Sequence, residues 1–495
     1  MCNEQTYTYN AYHLTKAFYP AGEVKSLVDE KTSPFVTVYM EDDHKIEIGP
    51  EEIGLPREEA LSLEKSVRKN KIDKALYKRL SALTGKTLSW GILTGVRPTK
   101  IAMEKLEEGR TESEFVPWFM EDCLVSREKA KLSWEIVERE EKILAPLDYE
   151  NGYSLYIGIP FCPSVCDYCS FSSGALADWA DQVDAYVDAL IKELTFIGHA
   201  STGKKLNTIY IGGGTPTTLS PAQMEKVLSC LDQYFPREDL LEYTVEAGRP
   251  DSITQEKLTV LLDHGVTRIS INPQSMQQKT LDRIGRKHTV AQIKEAYALA
   301  RGMGFTNINM DLIAGLTGET PEDMRDTLGQ VRELDPDSLT VHSLAIKRAA
   351  KYGQVRRKNT RQGNKKAKEE PIYPELLSDT MAQMIQDAAD CARKMDMTPY
   401  YLYRQKNIAG NFENVGYAKV DKAGIYNILI MEEKQSIVAA GAGATTKLLV
   451  REPVKNPDRK EQETRLVRIE NVKAIDVYID RIDEMINRKG EWLWR

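Results

Sequence analysis

The sequence has 495 residues, of which 41% are hydrophobic and 28% charged, and its formal net charge is −7. This length predicts several domains, and the composition is typical of a soluble globular protein. The negative charge disfavours nucleic-acid binding as a main role, and no apolar run approaches the ~20 residues of a membrane span. No secretory signal is visible, and seven cysteines in this length do not indicate a disulfide framework, so we expect a cytoplasmic monomer.

Residues 1–150 predict an α+β accessory domain. "SPFVTVYM" and "HKIEIG" have the alternation of a β-hairpin, and charged helical segments follow from Arg57 onward. The turn-rich stretch "GVRPTK" and the amphipathic helix "SREKAKLSWEIVEREEKIL" come before a boundary near residue 150. The sequence leaves open whether "GVRPTK" covers the neighbouring domain or contacts a substrate.

Residues 151–346 contain six short apolar runs that alternate with helical segments: "YSLYIGIPF", "NTIYIGGG", "EYTVEAG", "RISIN", "NINMDLI" and "SLTVHSL". Capping boxes begin helices at Ser220 and Thr289. The alternation predicts parallel βα units. Since a closed barrel needs eight units, the predicted fold is α/β, an incomplete (β/α)6 TIM-like barrel, and an open doubly wound sheet is the alternative. Both folds place their chemistry at the carboxyl ends of the strands.

The sequence after residue 346 divides into two predicted segments, a basic loop and a C-terminal domain. Residues 347–370 are dense in Lys and Arg, which predicts an exposed flexible loop, with an anion-attracting flap over the site as the alternative. Residues 371–495 predict a C-terminal domain that is mostly helical or α+β, with a helix from about Pro374 to Met395. Three aromatic or Gly-rich stretches follow: "YYLYRQKNIAGNFENVGYA", "GIYNILIMEE" and "IVAAGAGATTKL".

Three cysteines lie within eight residues directly after the first predicted barrel strand. Cys162, Cys166 and Cys169 have the spacing Cys-x₃-Cys-x₂-Cys, and no fourth Cys or His is near them in the sequence. A structural zinc usually takes four protein ligands. Three thiolates instead leave one iron of a 4Fe–4S cluster open to a substrate or cofactor. Zinc binding and chance clustering are the alternatives.

The cysteine loop and the later strand ends together resemble a known family. "PFCPSVCDYC" looks like the cluster loop of the radical S-adenosylmethionine (SAM) enzymes. "GGGTPT", "VEAGRPD", "INPQS…RIGRKH" and "MDLIAGL" follow on successive predicted strands. The set resembles the oxygen-independent coproporphyrinogen III oxidase (coproporphyrinogen dehydrogenase) family from about Tyr153 to Leu344. The N-terminal region resembles that family's extended branch.

This resemblance implies a 4Fe–4S cluster held by the three cysteines and one or two molecules of SAM. It also implies a set of residues that contact the cofactor, namely Tyr156, Tyr168, Gly213, Gly214, Thr215, Glu246, Gln274, Arg286, Asp311 and Ala345. Elementary chemistry agrees at several positions. Glycines let the backbone approach a ligand, a carboxylate at a buried strand end needs a partner, and an arginine suits a carboxylate. His288 and His342 are more simply interpreted as hydrogen-bonded structural residues.

The implied reaction is oxidative decarboxylation of coproporphyrinogen III to protoporphyrinogen IX in anaerobic haem biosynthesis. The electron donor would be a protein such as flavodoxin or ferredoxin. Arg249, Arg268, Arg283 and the basic segment are candidates to receive the substrate propionates.

One position departs from the best-characterised dehydrogenases, which carry a further Cys two residues after the third ligand. Phe171 occupies it here. A haem chaperone of the same superfamily and a haem-degrading radical methyltransferase are therefore alternatives. In a haem-binding protein Tyr400, Tyr401 or Tyr403 could be a haem ligand, although core packing is the simpler interpretation of these tyrosines.

Overall fold

The structure is a computed structural model. It describes residues 1–20, 22–40, 44–95, 97–169, 173–345, 377–404, 412–456 and 459–495. Phe171 and the basic segment 347–370 lie outside the described residues, so the predictions made for them are not addressed. Within the described ranges, no helix is both long and apolar enough to cross a membrane.

The strands of the described part are, in chain order, β1 (Val36–Tyr39), β2 (Lys45–Ile48), β3 (Gly152–Ile159), β4 (Phe161–Cys162), β5 (Gly174–Ala175), β6 (Lys205–Gly213), β7 (Glu242–Glu246), β8 (Arg268–Ser270), β9 (Ile308–Ala314), β10 (Ser338–Ser343), β11 (Thr398–Tyr403), β12 (Asn414–Ala418), β13 (Ser436–Ala440), β14 (Thr445–Asn456) and β15 (Arg459–Glu470).

The α-helices of the same residues are α1 (Gln5–Phe18), α2 (Arg57–Ser62), α3 (Lys65–Thr84), α4 (Thr99–Glu107), α5 (Glu112–Cys123), α6 (Arg127–Leu144), α7 (Val183–Ala200), α8 (Pro221–Tyr234), α9 (Gln255–Asp263), α10 (Gln278–Arg283), α11 (Val290–Gly302), α12 (Pro321–Leu334), α13 (Leu377–Lys394), α14 (Ile425–Glu432), α15 (Ile475–Asp480) and α16 (Ile482–Gly490).

The six predicted barrel strands form one continuous parallel array in the order β3-β6-β7-β8-β9-β10. The predicted capping boxes at Ser220 and Thr289 begin α8 and α11. Along β3 every residue except Tyr156 is buried, as expected for a parallel sheet covered on both faces. The predicted α/β partial barrel is therefore present, with its helices between successive strands.

The C-terminal residues extend this array at both edges. β13 pairs in parallel with β3, and β14 and β15 follow in antiparallel order. At the other edge β12 and β11 pair antiparallel beyond β10. Within the part of the chain that the structure describes, the resulting sheet has 11 strands with β11 and β15 at its edges, and these two edge strands do not pair with each other. The division at residues 346 and 371 stays a prediction, although hydrogen bonding within the sheet continues across it.

A buried ion pair fixes the C-terminal helices to the barrel. Glu193 of α7 pairs with Lys489 of α16, and both side chains are fully buried. The same carboxylate accepts hydrogen bonds from Tyr478 Oη at 2.6 Å, Asn471 Nδ2 at 2.9 Å and the Gly441 backbone N–H at 2.9 Å. Because a buried charge is costly unless paired, this network determines how the C-terminal helices dock.

The N-terminal region forms the predicted β1–β2 hairpin and packs α6 against β11. Buried Trp90 donates from Nε1 to Glu413 Oε2 at 2.7 Å, and Lys129 of α6 lies 2.7 Å from Glu413 Oε1. Arg97, from the "GVRPTK" stretch, donates to the carbonyl of Met431 at 2.6 Å. Met431 belongs to α14, which also contributes to the cavity described next. The N-terminal region thus contacts α14 through the hydrogen bond from Arg97 to the Met431 carbonyl.

Candidate functional site

A cavity of about 540 Å³ lies at the carboxyl ends of the parallel strands. Its lining includes all 13 residues that the sequence analysis assigned to the cluster or the cofactor, namely Tyr156, Cys162, Cys166, Tyr168, Cys169, Gly213, Gly214, Thr215, Glu246, Gln274, Arg286, Asp311 and Ala345. These residues come from six different strand ends, and the tertiary fold brings them into one space. Their individual roles stay predictions.

The cysteine loop begins where β3 ends and is tied to the end of β6. The N–H of Gly214 donates to the carbonyl of Ile159 at 2.7 Å, and the N–H of Thr215 donates to that of Phe161 at 2.7 Å. The Thr215 hydroxyl also lies 3.5 Å from Cys162 Sγ. The two predicted motifs, cysteine loop and Gly-rich strand end, therefore form one hydrogen-bonded unit.

Two glycines of "GGGTPT" are required by the local geometry. Gly213 has φ of +107°, in the left-handed region that favours glycine. A Cβ on Gly214 would lie 2.5 Å from the carbonyl oxygen of Phe161. The close approach of strand end and cysteine loop therefore depends on the missing side chains.

Arg249 positions the cysteine loop by hydrogen bonds to Ser164. Its guanidinium forms two hydrogen bonds to Asp251, at 2.9 and 2.8 Å, and donates to the Ser164 carbonyl at 3.1 Å. The same nitrogen, Nη1, lies 4.0 Å from Cys166 Sγ. Arg249 is only 3% exposed. It therefore holds the loop that carries the thiols, and because it also lines the cavity, the predicted contact to substrate stays a prediction.

Arg286 supports the loop from the other side. Its guanidinium donates to Tyr168 Oη at 3.2 Å and to the carbonyls of Gly248 and Asn272 at 2.7 and 2.8 Å. Its Nε atom is buried and has no hydrogen-bond partner among the described residues. Nε of Arg286 could therefore donate a hydrogen bond to the methionine carboxylate of SAM, while Nη1 and Nη2 already bond to protein groups.

The three thiols have the chemistry that an iron–sulfur cluster requires. Cys162 and Cys169 are half-buried and Cys166 is buried, and all three line the cavity. Thiolates are the ligands of 4Fe–4S clusters, and neighbouring positive charge favours thiolates over thiols. Among the described residues, no group of three or more His, Cys, Asp or Glu is gathered closely enough for a single metal ion. The donor set fits the predicted cluster.

Glu246, at the end of β7, is half-buried and its carboxyl faces the cavity. Burial raises its pKa to about 7, against a hydrogen bond from Tyr210 Oη that lowers it. That hydrogen bond is 2.5 Å long. The rings of Tyr156, Tyr210 and Tyr426 stack beside it, with 4.5 Å between the Tyr210 and Tyr426 centroids. Glu246 can therefore ionise near neutral pH to meet a cationic or hydroxyl group of a ligand.

Asp311, on β9, is the second carboxylate of the cavity. Burial raises its pKa, but His342 and Asn309 stabilise the anion, and the net effect lowers the pKa. Asn309 donates to it at 2.7 Å, and His342 Nε2 lies 3.6 Å away. His342 Nδ1 is 3.1 Å from Tyr403 Oη. His342 is hydrogen-bonded, as expected, but it also lines the cavity.

Gln274 has a strained backbone at the end of the fourth barrel strand. Its φ is +66°, which is uncommon for a residue other than glycine, and it is held by backbone bonds to Asp311 and Ile313. Its Oε1 atom is buried and has no partner among the described residues. An unpaired buried acceptor costs free energy unless a ligand supplies the donor. The side chain is thus prepared for a ligand.

Of the remaining residues considered from the sequence, Arg268 lines the cavity, whereas Arg283 and His288 do not. Arg268 lines the cavity, is 2% exposed and donates to Ser338 Oγ at 3.1 Å. Arg283 is exposed, donates to the carbonyl of Thr317 at 3.2 Å, and is not part of the cavity lining. His288 is buried 3.6 Å from Asp251 and is also outside the lining.

Sequence reasoning missed most of one wall of the cavity, having named only Tyr401 and Tyr403 of it, as possible haem ligands. It comes from the C-terminal region and comprises Tyr401, Tyr403, Tyr426, Asn427, Ile430, Met431, Ile437, Gly443, Ala444, Thr445 and Lys447. The available signal was the group of aromatic and Gly-rich stretches after residue 400. Tyr401 and Tyr403 reach the cavity from β11, and Ile437 reaches it because β13 pairs beside β3, a pairing that the sequence alone does not indicate.

Comparison with known proteins identifies the family. A model of the radical SAM superfamily matches residues 156–331. The oxygen-independent coproporphyrinogen-III oxidase-like protein HemZ of Bacillus subtilis is 42% identical over 388 residues, which are 78% of this chain and 75% of HemZ. This chain belongs to the oxygen-independent coproporphyrinogen III oxidase-like family of radical SAM proteins. The predicted family is confirmed, and with it the 4Fe–4S cluster and SAM as cofactors.

Two further comparisons show the fold and the breadth of the superfamily. The solved structure of coproporphyrinogen III oxidase (HemN) from Escherichia coli aligns with a TM-score of 0.52, at 22% identity, over 72% of this chain and 73% of that one. It confirms the predicted fold. The haem chaperone HemW of Bacillus subtilis is 38% identical over 195 residues, which are 39% of this chain and 50% of HemW. Relatives of the radical SAM core thus include both oxidases and chaperones.

Proposed function

We propose that this protein oxidatively decarboxylates two propionates of coproporphyrinogen III to vinyl groups, which gives protoporphyrinogen IX. The observation that carries the proposal is the single cavity that unites the three thiols, two carboxylates and an aromatic wall. The resemblance over most of both chains to HemZ, which is named as an oxygen-independent coproporphyrinogen-III oxidase-like protein, supports a reaction of this class. We further propose a cytoplasmic monomer that receives electrons from flavodoxin or ferredoxin.

When bound, the reduced cluster and SAM supply one-electron chemistry that removes a hydrogen atom from an unactivated carbon. For each propionate, the β-carbon loses that hydrogen atom, CO₂ leaves, and one further electron passes to a one-electron acceptor. The chain's own groups hold and orient the reactants. Cys162, Cys166 and Cys169 bind iron, and Arg249 holds their loop.

The strand-end groups would orient the cofactor. The backbone at Gly213 and Gly214 leaves room for its amino-acid end, and Asp311 can accept hydrogen bonds from ribose hydroxyls. Glu246 accepts a hydrogen bond from an ammonium or hydroxyl group once it is ionised. Holding the cofactor and the substrate in one geometry lowers the entropic contribution to the activation free energy.

The test is an anaerobic assay with the reconstituted protein, a chemical reductant, SAM and coproporphyrinogen III. The expected result is the divinyl product together with 5′-deoxyadenosine. Cys166→Ala is the matched control, because it removes one proposed iron ligand and leaves the part of the cavity formed by the C-terminal region unchanged. Cleavage of SAM without any vinyl product would contradict the decarboxylation.

Haem delivery is the second candidate, since the radical SAM core is 38% identical to HemW. Tyr401 and Tyr403 line the cavity and present aromatic surface to a tetrapyrrole. Tight haem binding, with transfer to an acceptor protein and no turnover of coproporphyrinogen III, would favour this function over decarboxylation.

A further inference from the structure

Three cationic side chains converge on one carboxylate at the C-terminal end of α14. Glu433 Oε2 lies 2.8 Å from Arg97 Nη1, and Glu433 Oε1 lies 3.2 Å from both Lys447 Nζ and Arg468 Nη2. The described ion pairs of these three cations all end on Glu433. Within these ion pairs three positive charges face one negative charge, and the adjacent Glu432 also interacts with Arg97.

The surplus charge is built into the sheet. Lys447 of β14 and Arg468 of β15 are directly opposite partners in the antiparallel register. Like charges placed opposite each other destabilise a strand pair, so this arrangement has a cost that a single carboxylate offsets only in part. Burial and both neighbouring guanidinium groups lower the pKa of Lys447, while Glu433 raises it. A second anion would relieve this excess.

Of these cations, Lys447 is the one that lines the cavity. Thr445 lies two residues earlier on the same face of β14 and also lines it, and Asn427 of α14 provides a further polar group. Ile430 and Ile437 give this end of the cavity apolar walls. A cation between apolar walls is the environment expected for a carboxylate carried by an apolar body.

We propose that Lys447, held by Glu433 and Arg97, binds a propionate carboxylate of the substrate at the end of the cavity formed by the C-terminal region. This inference rests on the proposed tetrapyrrole substrate. It also gives the N-terminal region a role, because Arg97 fixes Glu433 and the Met431 carbonyl and thereby positions the lysine. Lys447 lines the cavity, and its Nζ atom donates to the carbonyl of Ile430 at 3.3 Å and to Glu433 Oε1 at 3.2 Å, so a substrate carboxylate would take the third hydrogen of the ammonium group.

The proposal can be tested without disrupting the fold. Lys447→Met keeps the length and apolar stem of the side chain and leaves Glu433 paired with Arg97 and Arg468. Lys447→Arg retains the charge. Lys434→Met is the matched control: Lys434 is the residue next to Glu433, pairs with Glu107 at 2.7 Å, and is not part of the cavity lining.

The probe is coproporphyrin III, the stable oxidised tetracarboxylate, titrated by fluorescence into the full-length reconstituted protein, with its tetramethyl ester as the neutral comparison. A lost charge-assisted hydrogen bond predicts that Lys447→Met weakens coproporphyrin III binding by roughly 10- to 100-fold. Ester binding should change little, Lys447→Arg should restore most of the affinity, and Lys434→Met should lie within about 3-fold of wild type.

Equal affinity of wild type and Lys447→Met for coproporphyrin III would overturn the inference. So would a parallel loss for acid and ester, which would indicate altered packing in place of a lost carboxylate contact. Because the measurement is binding and not turnover, it remains informative if the protein forms no vinyl product. A missing product with an intact Lys447 effect would reject the proposed reaction and keep the carboxylate site.

Discussion

Glu246 carries a carboxyl whose charged form is penalised by burial. We predict that replacing it with a neutral side chain will raise the free energy of unfolding, even though the carboxyl is proposed to bind the cofactor. Burial raises the pKa of this carboxyl from its ordinary 4.5 to about 7. A group whose folded-state pKa is raised stabilises the fold at low pH and loses that contribution as pH rises from 4.5 through 7. The change corresponds to about 3 kcal/mol. Glu246→Gln keeps the shape and can still accept the Tyr210 hydrogen bond.

We therefore expect Glu246→Gln to raise the free energy of unfolding of the cofactor-free protein by about 3 kcal/mol at pH 8.5 and by about 1 kcal/mol at pH 5. Urea unfolding at both pH values measures this difference. Glu238→Gln, at an exposed position, is the control and should change stability by less than about 0.5 kcal/mol. A gain that does not depend on pH, or a loss at pH 8.5, would refute the reasoning.

Three further predictions concern the cysteine loop and the C-terminal helices. Cys166→Ala should remove the visible absorbance of the 4Fe–4S cluster and the cleavage of SAM, as checked by spectroscopy and 5′-deoxyadenosine analysis. Gly214→Ala should weaken SAM binding by more than about 10-fold in calorimetry, because the new Cβ would lie 2.5 Å from the Phe161 carbonyl. Lys489→Met should destabilise the protein by about 3–5 kcal/mol in urea unfolding by leaving buried Glu193 unpaired, and adding Glu193→Gln should recover part of the loss.

Much of the barrel could be predicted because its signals are local. The β runs and the capping boxes at Ser220 and Thr289 depend on residues close together in the chain, so the strands and helices appeared where expected. The site residues were recognisable for a related reason, since parallel strands bring their carboxyl ends to one edge. Glu246 and Asp311 stand out in the sequence as charged residues within apolar runs.

The sequence could not indicate what the polar groups would contact. Arg249 was a candidate for substrate binding; it lines the cavity, but its guanidinium also bonds to Asp251 and Ser164, which the sequence did not suggest. Arg283 was a similar candidate and lies outside the cavity. Such assignments depend on which distant residues reach the same point, and a single sequence does not contain those distances.

The sequence by itself determined the order of the βα units and the family, and it predicted the cluster ligands, because each depends on patterns of neighbouring residues. Only the tertiary structure decided that β13 and β14 complete the cavity and that Arg97, from the N-terminal region, reaches α14. The wall that carries Lys447 arises from contacts between residues hundreds of positions apart in the chain, as in the pairing of Ala439 with Tyr156. Long-range strand pairing is selected by the burial of the whole sheet, which no local pattern specifies.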